Sequence, residues 1–185
     1  MKMTRKMLRF TALLAVFIPS WLYAAGLEFG PVRMTGDGMQ VNLTVGSYQR
    51  HDIIEATKRG MELKVVYEIQ IRRAAGGLFT GNRTVYSRTI VRKARFDFWG
   101  KAFQVMEGGR GMVFQGENAM LDYIFSLRDY ELRNIGLKPG EAYVMRARAE
   151  LKSVELYFPM NVIFKYLVGF WDFDTGWVNG PPVDY

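Results

Sequence analysis

The chain has 185 residues, with 25 Lys and Arg against 18 Asp and Glu for a formal net charge of +7, one His and no Cys. That composition excludes disulfides, thiol catalysis and a zinc site built from the usual nitrogen and sulfur ligands, and the length fits one domain burying about 70% of its unfolded surface. An aromatic content of 15%, with 19 Gly and only 6 Pro, suits a sheet protein with tight turns rather than a helical or disordered chain.

At the start, Lys2, Arg5, Lys6 and Arg9 come with no acid among them, an apolar run follows over 10–18, and small residues stand at Ala24, Ala25 and Gly26. This is the layout of a secretory signal peptide. Pro19 and Ser20 interrupt the apolar stretch, which falls short of the ~20 residues that a spanning helix wants. The sequence therefore predicts a leader over 1–24, cleavage near Ala24 to Gly26, and an exported, periplasmic domain over 25–185. Leu22 and Tyr23, three residues before the two candidate cuts, are not small, so the cut and an uncleaved anchor both stay open. Absence of cysteine excludes lipid attachment and a disulfide-linked partner. Without the four basic residues of the leader, the +7 falls to +3.

The turn Gly36-Asp37-Gly38 pairs a strand over 27–35 with one presenting Met39, Val41, Leu43 and Val45. Asp52 is placed to cap a helix over 53–59, stopped by Gly60. Over 61–73, Leu63, Val65, Tyr67, Ile69 and Ile71 alternate with polar residues, which is the period of a half-buried strand. Shorter strands are expected over 83–95, 98–106 and 111–114. Asn118 is placed to cap a helix with Leu121, Ile124, Phe125 and Arg128 at helical spacing. A second long strand over 141–157 sets Tyr143, Met145, Ala147, Ala149 and Leu151 against Arg146, Arg148, Glu150 and Lys152. Residues 160–168 read equally as helix or strand. The fold class is mainly β: an antiparallel β-sandwich or open barrel with two or three short helices.

The closing stretch Trp171-Asp172-Phe173-Asp174-Thr175-Gly176-Trp177, the early hairpin, the short helix and the long strand ending in Arg72-Arg73 together resemble the domain-of-unknown-function family 4390 of bacterial secreted proteins. The resemblance runs over about 27–177. Its most specific part is the tail, with Trp171, Asp172, Thr175 and Trp177 as the family-like positions. It implies a periplasmic protein of unassigned activity with no cofactor and no catalytic residues. It also implies a membrane-associated partner, since genes of the family are often found near a membrane-bound sensor histidine kinase of the nitrogen-regulation type.

Other chemistry is thinly represented. Asp174-Thr175-Gly176 is the tripeptide of aspartic proteases, which need two carboxylates sharing a proton, so a single copy reads as a plain turn. Asp172 and Asp174 lack the further oxygen ligands of a calcium loop. His51 has no second His or Cys beside it, so no metal is expected there. No serine lies in a Gly-x-Ser-x-Gly elbow. Gly108-Gly109-Arg110-Gly111 precedes a strand where a phosphate loop would open a helix, and reads as a hairpin turn.

One feature stands out from the composition. Over 69–96 there are seven basic residues, Arg72, Arg73, Arg83, Arg88, Arg92, Lys93 and Arg95, and no acid, which leaves −4 for the rest of the mature chain. Such a stretch suits an anionic contact with lipid headgroups or an acidic protein face, or else a solvated strand face whose arginines guard a sheet edge. Alternation places Arg88 and Arg92 together, on the wet side. Export disfavours nucleic acid. Three function classes follow: a non-enzymatic periplasmic accessory or binding protein at or near the inner membrane, a carrier of an apolar ligand in the β core lined by 158–177, and a hydrolase gathering Asp172, Asp174 and Glu155.

Overall fold

The alternating stretches form strands, and in the computed structural model, which describes residues 25–36, 38–74, 83–153 and 172–184, they assemble into two antiparallel sheets. In the smaller sheet β3 (Gly38–Gly46) is central. β8 (Ser126–Arg133) pairs one of its edges, while β1 (Gly26–Phe29) and β2 (Arg33–Thr35) follow each other along the other. The expected first hairpin is therefore present, interrupted around Pro31, which has no N–H to give the ladder. Across the interruption the Gly30 N–H still donates to the Asn42 carbonyl at 2.8 Å.

The larger sheet has seven strands. β4 (Leu63–Arg73) lies between β5 (Arg83–Asp97) and β9 (Ala142–Ser153); β6 (Ala102–Glu107) and β7 (Arg110–Phe114) extend it beyond β5. β10 (Phe173–Asp174) and β11 (Val178–Asp184) share the far edge of β9. The architecture is sandwich-like with no closed barrel. The inner faces supply the core: Met39, Val41, Leu43 and Val45 from β3, Leu63, Val65, Tyr67, Ile69 and Ile71 from β4, and Tyr143, Met145, Ala147, Ala149 and Leu151 from β9. Tyr67 spends its hydroxyl on the Ile124 carbonyl at 2.9 Å, and burial pushes its ionisation far up.

Among the described residues two helices close the sandwich, and both start earlier than their caps suggested. α1 (Arg50–Lys58) begins after Gln49, so Asp52 lies inside its first turn rather than capping it. Tyr48 stacks on Phe125 at 4.1 Å and fixes where the chain enters the helix. Gly60, at φ +93°, stops it as expected. α2 (Glu117–Ile124) begins after Gly116, and Asn118 instead accepts a hydrogen bond from Arg50. Arg128 falls outside this helix, exposed on β8. The Val45 N–H takes the Phe125 carbonyl at 2.9 Å and draws the chain from the helix into the smaller sheet. The strand expected from 98 begins at Ala102, because 98–101 form a turn around the Asp97 carboxylate. Residues 160–168 lie outside the described residues, as do 75–82 between β4 and β5.

Candidate functional site

The basic stretch is contiguous in sequence but not in space. Register decides this: Ile69, Val65 and Leu63 of β4 face Arg88, Arg92 and Ala94 of β5, so Arg88 and Arg92 do share a face, and it is the core side. Lys93 and Arg95 point the other way. Carboxylates from other elements then reach several of the seven. Arg73 pairs with Glu141 at 2.7 Å and Lys93 with Glu62 at 2.9 Å, while Arg95 bonds the Gln104 amide oxygen at 2.8 and 3.1 Å. Arg72 is half-buried on the outer face, level with Thr84 and Val144.

Arg92 departs furthest from expectation. It is 4% exposed, so the wet-side placement is wrong for this residue. Its Nε donates to Glu107 at 2.6 Å, and one terminal nitrogen donates to the carbonyls of Tyr123 and of Ser126, the latter at 2.6 Å. The guanidinium also lies 4.0 Å from the centre of the Tyr123 ring, whose hydroxyl donates to Glu107 at 2.6 Å. Burial and that bond push the Tyr123 hydroxyl up to about 12. A cation is thus held where α2 ends and β8 begins, where carbonyls without helical partners and the negative end of the helix dipole favour it.

Arg83 and Arg88 remain as exposed cations with no ion pair among the described residues. Their stretch of β5 has a second property. β6 pairs β5 only from Arg92 to Asp97, so residues 83–91 have β4 on one side and no described strand on the other. Among the described residues the result is an open, basic sheet edge.

The tail forms a second constellation, and each residue of Asp174-Thr175-Gly176 has a task in it. The chain runs antiparallel to β9, but four steps from Asp174 to Val178 match three from Glu150 to Ala147, so one extra residue must be absorbed. Gly176 absorbs it at φ +65°, a conformation a side chain would strain. Thr175 meets both backbone groups of Ala149: its N–H donates to the carbonyl at 3.0 Å, and its Oγ1 accepts from the N–H at 2.9 Å. Asp174 accepts from the Gly176 N–H at 2.8 Å and takes both Arg148 donors, Nε at 2.7 Å. Arg148, seconded by the Gly176 N–H, holds its carboxyl below the usual carboxylate range. Arg146 lies over the Trp177 ring at 4.2 Å and is fixed by Gln70 at 2.7 and 3.0 Å. Further on, Gly180 has no room for a Cβ, which would come 2.6 Å from the Phe29 ring of β1. Asp172 is exposed; Trp171 and Glu155 lie outside the described residues.

With the tail laid on β9 in this way, both constellations lie within the stretch that the model of the domain of unknown function DUF4390 matches, residues 28–179. The chain belongs to this family. No curated protein and no solved structure matches it. The DUF4390 domain thus covers both constellations. Among its described residues no group of three or more His, Cys, Asp or Glu side chains is placed to hold a metal, and His51 is exposed in the first turn of α1. A groove of about 430 Å³ is lined by Phe29, Pro31 and Met34 together with Pro181 and Pro182.

Sequence reasoning named Arg92 but put it on the wet side of its strand, and it missed the partner Glu107, the Arg146 and Arg148 partners of the tail, and the exposed aromatic turn after β5. A usable signal existed for the first: Ile90, Ala94 and Phe96 share the parity of Arg92, which put it on the apolar side of its strand.

Proposed function

We propose that this DUF4390 domain is an exported, non-enzymatic accessory module that binds a membrane-associated partner at the periplasmic surface of the inner membrane through the open basic edge of β5. The observation that carries the reading is that edge. Residues 83–91 present Arg83 and Arg88 on a strand whose second edge pairs with no described strand, a surface suited to an acidic extended segment that adds to the sheet. The leader of residues 1–24 supports export, and the family resemblance supports a sensor histidine kinase as the class of partner. Two further points favour binding over hydrolysis or carriage. Asp174 is committed to Arg148 and to its own turn. Among the described residues the core between the sheets is filled by Tyr67, Tyr143, Phe125 and Met39, none of which lines the groove at Phe29 and Pro181.

The test combines export with charge reversal. Intact mass of protein recovered from the envelope should show loss of about 24 residues. Cross-linking in the envelope from position 87 should yield an adduct that Arg83→Glu with Arg88→Glu abolishes, and that weakens as salt shortens the Debye length from ~10 Å at 0.1 M to ~3 Å at 1 M. An unchanged adduct in the folded double variant would reduce this edge to a solvated strand.

A further inference from the structure

The turn between β5 and β6 exposes Trp99 to 97% and Phe98 to 58%, and Val113 of β7 is 64% exposed. Val113 pairs with Gln104 on the two strands that follow the turn. A lone exposed apolar side chain needs no explanation, whereas two adjacent exposed aromatics on one turn do. The Phe98-Trp99 turn is also held in place. The Asp97 carboxylate accepts from the Trp99 N–H at 3.1 Å and from the Gln104 amide at 3.2 Å. Phe98 packs edge-on against Phe96 at 5.4 Å, and a Cβ on Gly60 would lie 3.8 Å from its ring, which brings the end of α1 alongside. Lys101 adopts φ +49°, a left-handed conformation uncommon outside glycine. The fold thus spends hydrogen bonds and backbone strain on a turn that holds an indole out in water.

Cations gather near the tip, although Arg59 also pairs with Glu55 at 3.7 Å. Lys101 follows Trp99 by two residues, Arg59 at the end of α1 is 78% exposed, and Arg95 is exposed on β5. Asp97, the acid of the turn, has both oxygens engaged inward.

We propose that the Phe98-Trp99 turn is a membrane anchor that enters the headgroup layer of an anionic bilayer, with Lys101 and Arg59 at the level of the phosphates. Tryptophan favours that layer because its ring is apolar while its N–H remains hydrogen-bonded, and lysine and arginine are drawn to anionic lipid. A narrow tip presenting one indole fits a fluid layer better than a protein partner, which needs ~800 Å² of matching surface. The inference rests on the reading of this chain as an exported module at the inner membrane, and adds its orientation. Arg88 stands nine residues from Asp97 on one strand, at ~3.4 Å per residue. Anchoring at Trp99 therefore holds the basic edge about 30 Å above the lipid, at the height of a partner's periplasmic portion.

The test uses protein recovered from the envelope, with wild type and variants in the same N-terminal form, and vesicles of phosphatidylcholine alone or with about one-third phosphatidylglycerol. Trp99 emission is isolated as the difference between wild type and Trp99→Phe. That difference should shift to the blue on phosphatidylglycerol vesicles and be quenched by lipid brominated on the acyl chain. Trp99→Ala should weaken partitioning about tenfold, and Lys101→Glu with Arg59→Glu should weaken it on the anionic vesicles. Trp99 is so exposed that Trp99→Ala should keep the wild-type melting temperature, which separates loss of anchoring from loss of fold. Equal partitioning of wild type and Trp99→Ala, no shift in the difference emission, or a cross-link from position 99 to protein instead of lipid would each overturn the proposal. Any of these with the adduct from position 87 intact would leave the accessory-module reading in place.

Discussion

Replacing Arg92 by Met keeps most of the side-chain volume on the inner face of β5 and removes the charge. The wild-type side chain is 5% exposed, and its guanidinium bonds Glu107, the Tyr123 carbonyl and the Ser126 carbonyl, with the Tyr123 ring beneath it. Removing one partner of a buried ion pair costs about 3–5 kcal/mol, most of it the penalty of leaving the other charge unpaired. Two features place this case near the lower end. The Glu107 side chain is 18% exposed, so water reaches it, and it keeps the hydrogen bond from Tyr123. A loss of about 3 kcal/mol is expected, or roughly 10 °C of melting temperature for a domain of this size. The assay is thermal and urea unfolding followed by circular dichroism, for Arg92→Met, Glu107→Leu and the double variant. Because the double variant leaves no orphaned charge, it should recover much of the loss, with a coupling of about 1–3 kcal/mol. A fall in melting temperature of under ~2 °C for Arg92→Met would refute this structural role for Arg92. So would strictly additive single variants.

Two further predictions concern the same packing. The Tyr123 hydroxyl is raised from 10.0 to about 12, so the folded state holds this proton more tightly; stability should be full below pH 10 and decline as pH rises through about 12, and Tyr123→Phe should flatten that decline in urea titrations. In the tail, Thr175→Val removes the acceptor of the Ala149 N–H and Gly176→Ala strains a left-handed residue. Each should lower stability by about 1–2 kcal/mol without altering the urea m-value, and unchanged midpoints would show that the bulge does not fasten the tail.

The main strands were legible because alternation is a local property: β4 and β9 show it over 11 and 12 residues, which fixes both their faces and their part in the core. The helix starts were less legible because a cap residue competes with tertiary contacts, and Tyr48 on Phe125 outweighs Asp52 as the determinant of where α1 begins. Asp174-Thr175-Gly176 was visible as a motif, but its reason is the Arg148 and Ala149 across the strand, 26 residues away. The basic stretch was the hardest to read, because charge counted along a chain does not say which elements will lie over it. Arg88 and Arg92 obey one parity and lie on one face, yet their roles are opposite. At Arg92 the strand is flanked by β6 and covered by the junction of α2 and β8, so the cation is enclosed by Glu107 and two carbonyls. Four residues earlier β6 has ended, and the same side chain type reaches water. Where neighbouring strands stop therefore decides whether an arginine on this face holds the fold together or remains available to a partner.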